Sequence, residues 1–225
     1  MELQPRYLSA EEKLEIIGTI ETFNAITDED IIILDTLSKD EESEVRAKVA
    51  EILVFSKSPS AERILISLLN DRDDLVRINA CDSLCISNSS EVLDLLKNKV
   101  MKDRSSLVRG YATLSIADIA TKIEYNNLED LLDFFKLVLK KEKVEWVRIN
   151  VYKAVYKLGD ETSLNLLING LNSRLYRDRC ATVNCLKDII SSKNKELVRF
   201  AFAERLKIEK TVAVRNNIEG TIKSI

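Results

Sequence analysis

A short pattern centred on an arginine occurs six times along the chain and constrains its fold more than any other feature. The six copies read EVRAKVAEIL, LVRINACDSL, LVRGYATLSI, WVRINVYKAV, LYRDRCATVN and AVRNNIEGTI. Their arginines are Arg46, Arg77, Arg109, Arg148, Arg177 and Arg215. The copies follow one another at steps of 31, 32, 39, 29 and 38 residues, which is the length of a pair of helices with loops of uneven length.

Apolar residues stand one position before and three positions after every one of these arginines, and seven positions after in all copies but the fifth, which has Asn184 there. Steps of four place such residues on one face of a helix. Burying each one contributes roughly 1.5–3 kcal/mol, which does not offset the ordering entropy of a lone hairpin, so the hairpins must stack. The expected first helices and the N-terminal helix pair are 61–70, 91–100, 128–139 and 162–171, with about 10–23 and 28–38 at the start.

The composition favours helices and offers little chemistry for catalysis. Five glycines and two prolines leave few residues for tight turns, and 45% apolar with 32% charged residues suits a folded chain with a charged surface. The chain has no histidine, and its four cysteines lack zinc-site spacing, so no metal and no cofactor are expected. Because neither a leader sequence nor an apolar span is visible, we expect a cytoplasmic protein.

An acidic residue stands six positions before four of the arginines, giving the pairs Asp40 and Arg46, Asp71 and Arg77, Asp103 and Arg109, and Glu142 and Arg148, and Glu209 before Arg215 makes a fifth. This combination of acid, valine and arginine at steps of 30 to 40 residues resembles the HEAT-repeat family, including its short bacterial members. The resemblance implies an all-α, right-handed α-solenoid of about six HEAT-like helical hairpins. It further implies one domain over 1–225, with a capping hairpin at 1–39 and repeats at 40–225.

In the HEAT family, the acids and arginines form a ladder that joins each repeat to its neighbour. A buried arginine needs a carboxylate, and its planar fork can donate to two acceptors. We therefore expect the four pairs to be structural, with Arg77 bonded to Asp71. The fifth copy departs from the pattern, because Leu171 stands in the acid's place and Tyr176 replaces the valine.

The residues one, two and five positions after each arginine are predicted to face the inner, concave side of the stack. These positions vary in character, as expected for a recognition surface, and Tyr111 and Leu114 are its expected anchors. The predicted partner-binding residues are Asn79, Asp82, Tyr111, Leu114, Asn150, Lys153 and Arg179.

Charge is divided unevenly along the chain. Residues 1–75 hold 18 acids and 8 bases, whereas residues 76–225 hold 19 acids and 26 bases. An acidic end suits a basic protein partner, such as a toxin or a nuclease, and charge of this kind steers encounter. Nucleic acid and membrane are not the expected partners, and the chain is expected to be a monomer or a dimer.

These features favour a non-catalytic protein-binding solenoid that acts as a scaffold, an adaptor or an inhibitor. Short HEAT-like chains include immunity proteins that neutralise bacterial toxins. The family also includes DNA glycosylases for alkylated purines and bilin lyase or chaperone subunits, and these two are the alternatives. A glycosylase requires a basic channel with aromatic residues and a catalytic acid, and no spacing in this sequence singles out such an acid.

Overall fold

The computed structural model describes residues 8–22 and 26–225, and over these residues the protein consists of thirteen α-helices with no β-strand. The chain divides into two compact units, residues 1–124 and 125–225. Residue 23, the expected end of the first helix, lies outside the described residues. The predicted all-α class is confirmed, whereas the single-domain organisation stays a prediction.

The first unit is a stack of hairpins in which second helices pack on second helices. Its helices are α1 (Ala10–Thr22), α2 (Asp28–Leu37), α3 (Ser43–Ile52), α4 (Pro59–Leu68), α5 (Asp74–Ser83), α6 (Ser90–Lys102) and α7 (Ser106–Lys122). The hairpins are α2 with α3, α4 with α5 and α6 with α7. Contacts of α1 with α3, α3 with α5 and α5 with α7 join them into a row.

The second unit repeats this arrangement. Its helices are α8 (Leu128–Lys141), α9 (Glu145–Lys157), α10 (Ser163–Asn169), α11 (Tyr176–Asp188), α12 (Lys195–Ile208) and α13 (Val212–Ser224). The hairpins are α8 with α9, α10 with α11 and α12 with α13, and α11 packs against both α9 and α13.

The predicted apolar stripe forms the core. The valines before five of the arginines are fully buried, and so are the residues three positions after the same arginines: Val45, Val76, Val108, Val147 and Val214, then Val49, Ala80, Ala112, Val151 and Ile218. Local chemistry sets where helices begin. For example, α4 begins at Pro59, whose missing N–H costs nothing in the first turn, while the Ser58 hydroxyl accepts from the Ser60 amide.

The fifth copy of the pattern is centred on Arg179, and its assignment to Arg177 was wrong. Arg177 is exposed, whereas Arg179 is buried and bonds to the carbonyl six residues earlier, at Ser173, as the other anchor arginines do. With this register, Thr182 and Leu186, three and seven positions after Arg179, are both fully buried. The apolar stripe continues through α11, but shifted by two residues.

The N-terminal helix α1 stands in the place of a second helix. It packs against α3, and its Lys13 ammonium lies 2.7 Å from the Asp40 carboxylate, the acid that precedes Arg46. Lys13 therefore takes the role that an arginine has in the later copies. Helix α2 is accordingly the first helix of the hairpin that α3 completes.

Candidate functional site

Arginine rungs join neighbouring repeats within each of the two units. The Arg77 fork donates to both carboxylate oxygens of Asp103, in the next repeat, with Nε and Nη2 each 2.9 Å away. Its third nitrogen, Nη1, donates to the main-chain carbonyl of Asp71 at 2.9 Å. The expected pairing of the Arg77 and Asp71 side chains was therefore wrong, because Arg77 donates to the main-chain carbonyl of Asp71 and not to its carboxylate.

Two more rungs have the same geometry. The Arg46 fork bonds both oxygens of Asp71 at 2.7 and 2.8 Å, and the Arg179 fork bonds both oxygens of Glu209 at 2.7 and 2.9 Å. Among the remaining predicted members, Arg109 donates to the Asp103 carbonyl at 3.0 Å, and the Glu142 carboxylate accepts from the Val144 amide at 2.8 Å. The Arg46, Arg77 and Arg179 rungs therefore each combine a bond to a carbonyl of the preceding turn with a fork to the acid of the following repeat.

Arg148 has a different environment because the acid position of the next repeat is occupied by Ser173. Its Nη2 donates to the Tyr152 hydroxyl at 2.8 Å, and its Nε lies 3.6 Å from Glu145 in the same helix. An acid stands instead directly before Arg179, where Asp178 replaces the usual valine and accepts from the Ser173 hydroxyl at 2.9 Å. In the fifth repeat, an uncharged residue therefore occupies the position six before the arginine, and an acid occupies the position directly before it.

The ladder acids are held in the ionised form. Burial acts to raise the pKa of Asp103, but hydrogen bonds from Arg77 and from the Ser105 amide outweigh it and lower that pKa below its usual range. The Arg179 guanidinium lowers the pKa of Glu209 much further, with help from the Thr211 amide and Arg205. Glu209 is the most enclosed of these acids, since its side chain is 1% exposed.

These shifts predict acid-sensitive stability. Because the folded pKa of Glu209 is depressed, its contribution is fully present above the unfolded pKa of about 4.3 and is lost as pH falls through the folded value. Glu209→Gln should therefore lower the free energy of unfolding at neutral pH by about 2 kcal/mol or more. Urea unfolding of both proteins should show this difference shrinking between about pH 5 and pH 2. A difference independent of pH would contradict the assignment.

The seven predicted partner-binding residues differ in their exposure to solvent. Asp82 is exposed, and Asn79, Tyr111, Leu114 and Lys153 are half-buried. The other two are buried and were wrongly assigned. Arg179 forms the ladder rung with Glu209, and Asn150 donates to the Trp146 carbonyl at 2.9 Å and accepts from the Cys185 thiol at 3.6 Å.

The position directly after the arginine is exposed in α13, where it is Asn216, but in four other helices its placement on the surface was wrong. Ala47, Ile78, Gly110 and Ile149 occupy it in α3, α5, α7 and α9, and all four are buried. Successive residues of an α-helix are about 100° apart around its axis. The residue directly after the buried arginine therefore still lies on the side of the helix that packs against the neighbouring second helix. In α3, α5 and α7, the positions two before, two after and five after the arginine are exposed or half-buried.

These positions form a three-by-three arrangement on the first unit, which we call the grid. Its rows are Glu44, Lys48 and Glu51 on α3; Leu75, Asn79 and Asp82 on α5; and Leu107, Tyr111 and Leu114 on α7. Steps of four and three residues hold each row on one face of its helix. The packing of α3 on α5 and of α5 on α7 sets the rows side by side.

The grid changes from charged to apolar across its rows. Leu75 is 52% exposed and Leu107 is 45% exposed, so two leucines of successive repeats face solvent next to the half-buried Tyr111 and Leu114. Leu75 and Leu107 were missed in the sequence because the position two before the arginine was not among those predicted to face the concave side. Helical geometry could have indicated them, because Leu107 lies four residues before Tyr111 and Leu75 lies four residues before Asn79, and residues four apart share a helix face.

One grid residue is also part of the scaffold. The Asn79 side-chain amide donates to the Ala47 carbonyl of the preceding repeat at 3.0 Å, and Asn217 makes the same kind of bond to the Cys180 carbonyl at 3.4 Å. These asparagines tie neighbouring second helices together below the surface. Asn79 therefore also holds its own helix against the preceding repeat, and its role in partner binding stays a prediction.

Over the described residues, no three cysteine, aspartate or glutamate side chains cluster in a way that would hold a metal ion. No helix in the described part of the chain is long and apolar enough to cross a membrane.

Comparison with known proteins agrees with this architecture. Residues 32–117 match the family model for HEAT repeats, so the resemblance to that family is confirmed there by sequence. This segment contains α3, α5 and the grid rows they carry. No curated protein matches the sequence.

Solved structures of low sequence identity were compared with this chain, and two of them have TM-scores above 0.5. A chain of the complex of CpcE and CpcF of phycocyanin lyase from Nostoc sp. PCC7120 has a TM-score of 0.61 and 17% identity, covering 100% of this chain and 95% of that one. YibA of Escherichia coli has a TM-score of 0.58 and 20% identity, covering 94% of this chain and 74% of that one. Human deoxyhypusine hydroxylase has a TM-score of 0.48 and 15% identity, covering 97% and 91%. The first two likenesses confirm the predicted α-solenoid fold.

Proposed function

We propose that this protein is a binding module that recognises another protein through the grid on its first unit. The observation that carries this proposal is the pair of solvent-facing leucines, Leu75 and Leu107, beside Tyr111 and Leu114. Large apolar side chains grouped on one face of a soluble protein typically mark an interaction site. Their polar surroundings correspond to the rim of a protein interface.

The rigidity of the scaffold supports this role. The grid rows lie on helices that are tied together by buried ion pairs and by the Asn79 bond, so a partner would meet side chains already held in place. Such preorganisation lowers the entropy lost on binding. The related chain in the CpcE and CpcF complex assembles with a second subunit, and we propose that the present protein likewise acts in a complex.

The proposal is tested by substituting the apolar anchors. Leu107→Ser and Tyr111→Ala should leave the melting temperature nearly unchanged, because neither side chain is in the core. Each should weaken binding of the partner by about 5- to 30-fold, the range expected for truncating an interface anchor. Ile32→Ser is the matched control, because Ile32 is 70% exposed on α2, outside the grid.

The measurement is affinity capture of the tagged protein from its own cells, with nuclease and moderate salt, followed by titration of the captured protein against each variant. A stoichiometric protein lost with Leu107→Ser but kept with Ile32→Ser supports the proposal. A captured toxin would identify an immunity role. Capture of nucleic acid alone, or of a bilin, would contradict it and favour the glycosylase or the bilin lyase alternative.

A further inference from the structure

The grid also carries an acidic border. In its first row, the Lys48 ammonium lies 3.0 Å from Glu51 and 3.0 Å from Glu21 of α1, so two carboxylates surround the single base. Glu44, at the other end of this row, is exposed. The α3 edge of the grid is therefore negatively charged even though it contains a lysine.

Negative charge also reaches the apolar rows. Asp82 ends the α5 row, and Asp118 continues the α7 row one turn beyond Leu114. Burial raises the pKa of the Tyr111 phenol, and the charge of Asp82 raises it further. The field of the Asp82 carboxylate therefore acts on an aromatic anchor of the patch, so the apolar and acidic parts of the grid are neighbours.

The corresponding positions of the second unit lack this character. They are Trp146, Asn150 and Lys153 on α9; Arg177, Ala181 and Asn184 on α11; and Ala213, Asn217 and Gly220 on α13. None of the nine is acidic and two are basic. An acidic border beside apolar anchors is thus a property of the first unit and not of the repeat itself.

We propose that the grid binds a cationic amphipathic segment of a protein partner, and this inference rests on the proposed function. Apolar side chains of the segment lie on Leu75, Leu107 and Tyr111, while its lysines or arginines reach Glu44 and Glu51. Lysine and arginine suit this arrangement because their aliphatic stems cover apolar surface while the charged ends reach outwards. The anchors supply most of the affinity, and the border supplies association rate and selectivity.

Two synthetic amphipathic helical peptides with identical leucine positions test this chemistry, one with lysines on the polar face and one with glutamates. Fluorescence anisotropy with the full chain should show the lysine peptide binding at least about tenfold more tightly than the glutamate peptide. Its affinity should fall as salt is raised from about 50 to 300 mM, because partly exposed charges are screened. Leu107→Ser should weaken the same peptide, which distinguishes the grid from general attraction to an acidic protein.

Charge reversal supplies the matched comparison. Glu44→Lys with Glu51→Lys should weaken the lysine peptide by about tenfold or more and remove the preference between peptides. Glu91→Lys with Asp94→Lys is the control, because it makes the same change in net charge on α6. Glu91, like Glu44, lies in a first helical turn, and Asp94, like Glu51, pairs with a lysine three residues away.

Equal loss in both double variants would overturn the inference, because net charge alone would then explain binding, and so would equal binding of the two peptides. The natural partner separates this inference from the proposed function. A captured protein that is lost with Leu107→Ser but unaffected by Glu44→Lys with Glu51→Lys overturns the cationic segment and leaves the binding module standing. A partner unaffected by either variant overturns both.

Discussion

Arg179→Ala is expected to lower the free energy of unfolding by about 3 kcal/mol, because the buried Glu209 carboxylate loses both charge-assisted hydrogen bonds from the fork and keeps only Arg205 and the Thr211 amide. Arg177→Ala, two residues earlier, is the control. Arg177 is exposed and its guanidinium lies over the Tyr176 ring, so its removal should leave the melting temperature almost unchanged. Thermal and urea unfolding of the two variants beside the unsubstituted protein measure the difference.

This comparison also tests the register of the fifth repeat. If Arg177→Ala were the damaging change and Arg179→Ala the harmless one, α11 would be rotated from the orientation described here. Equally small effects would show that neither residue anchors the repeat.

Arg77 is expected to be energetically coupled to Asp103 and not to the Asp71 side chain. Arg77→Ala alone should cost about 3–5 kcal/mol, because the buried Asp103 carboxylate loses both charge-assisted hydrogen bonds. A double-mutant cycle of Arg77→Ala with Asp103→Ala should give an interaction energy of about 1–3 kcal/mol. The cycle of Arg77→Ala with Asp71→Ala should give a much smaller value, since the Asp71 carbonyl that Arg77 contacts survives the substitution.

Urea unfolding of the five variants supplies both cycles. The ladder described here requires the Asp103 cycle to exceed the Asp71 cycle clearly. The reverse order would mean that the arginine bonds within its own repeat, as the sequence spacing first indicated.

The core could be predicted from the sequence because its signal is local. Val76 and Ala80 lie four residues apart, and helix geometry alone places them on one buried face. The partners of the ladder arginines could not be predicted in this way, because they are distant in sequence. Asp71 is six residues before Arg77 and Asp103 is 26 after it, and only the stacking of hairpins decides which carboxylate the fork reaches.

The candidate site was predictable only in part, for two physical reasons. Tyr111 and Leu114 were found because they follow a well-placed anchor arginine by two and five residues. Arg179 was misassigned because α11 contains two arginines two residues apart, and the apolar pattern there is weakened by Asp178. Glu209 lies 30 residues after Arg179 and 32 after Arg177, whereas the other two forked rungs span 25 and 26 residues, so the spacing of the acid did not distinguish the two arginines.

The direction of the ladder has a consequence for how the chain folds during synthesis. Each buried arginine receives its carboxylate from sequence that leaves the ribosome later, as Arg46 does from Asp71 and Arg77 from Asp103. A newly emerged repeat therefore carries an uncompensated positive charge at its growing edge until the next acid arrives. The hairpins should consequently reach their stable packing in order from the N-terminal side. A pause in translation just before an acid would leave the last repeat in its least stable state.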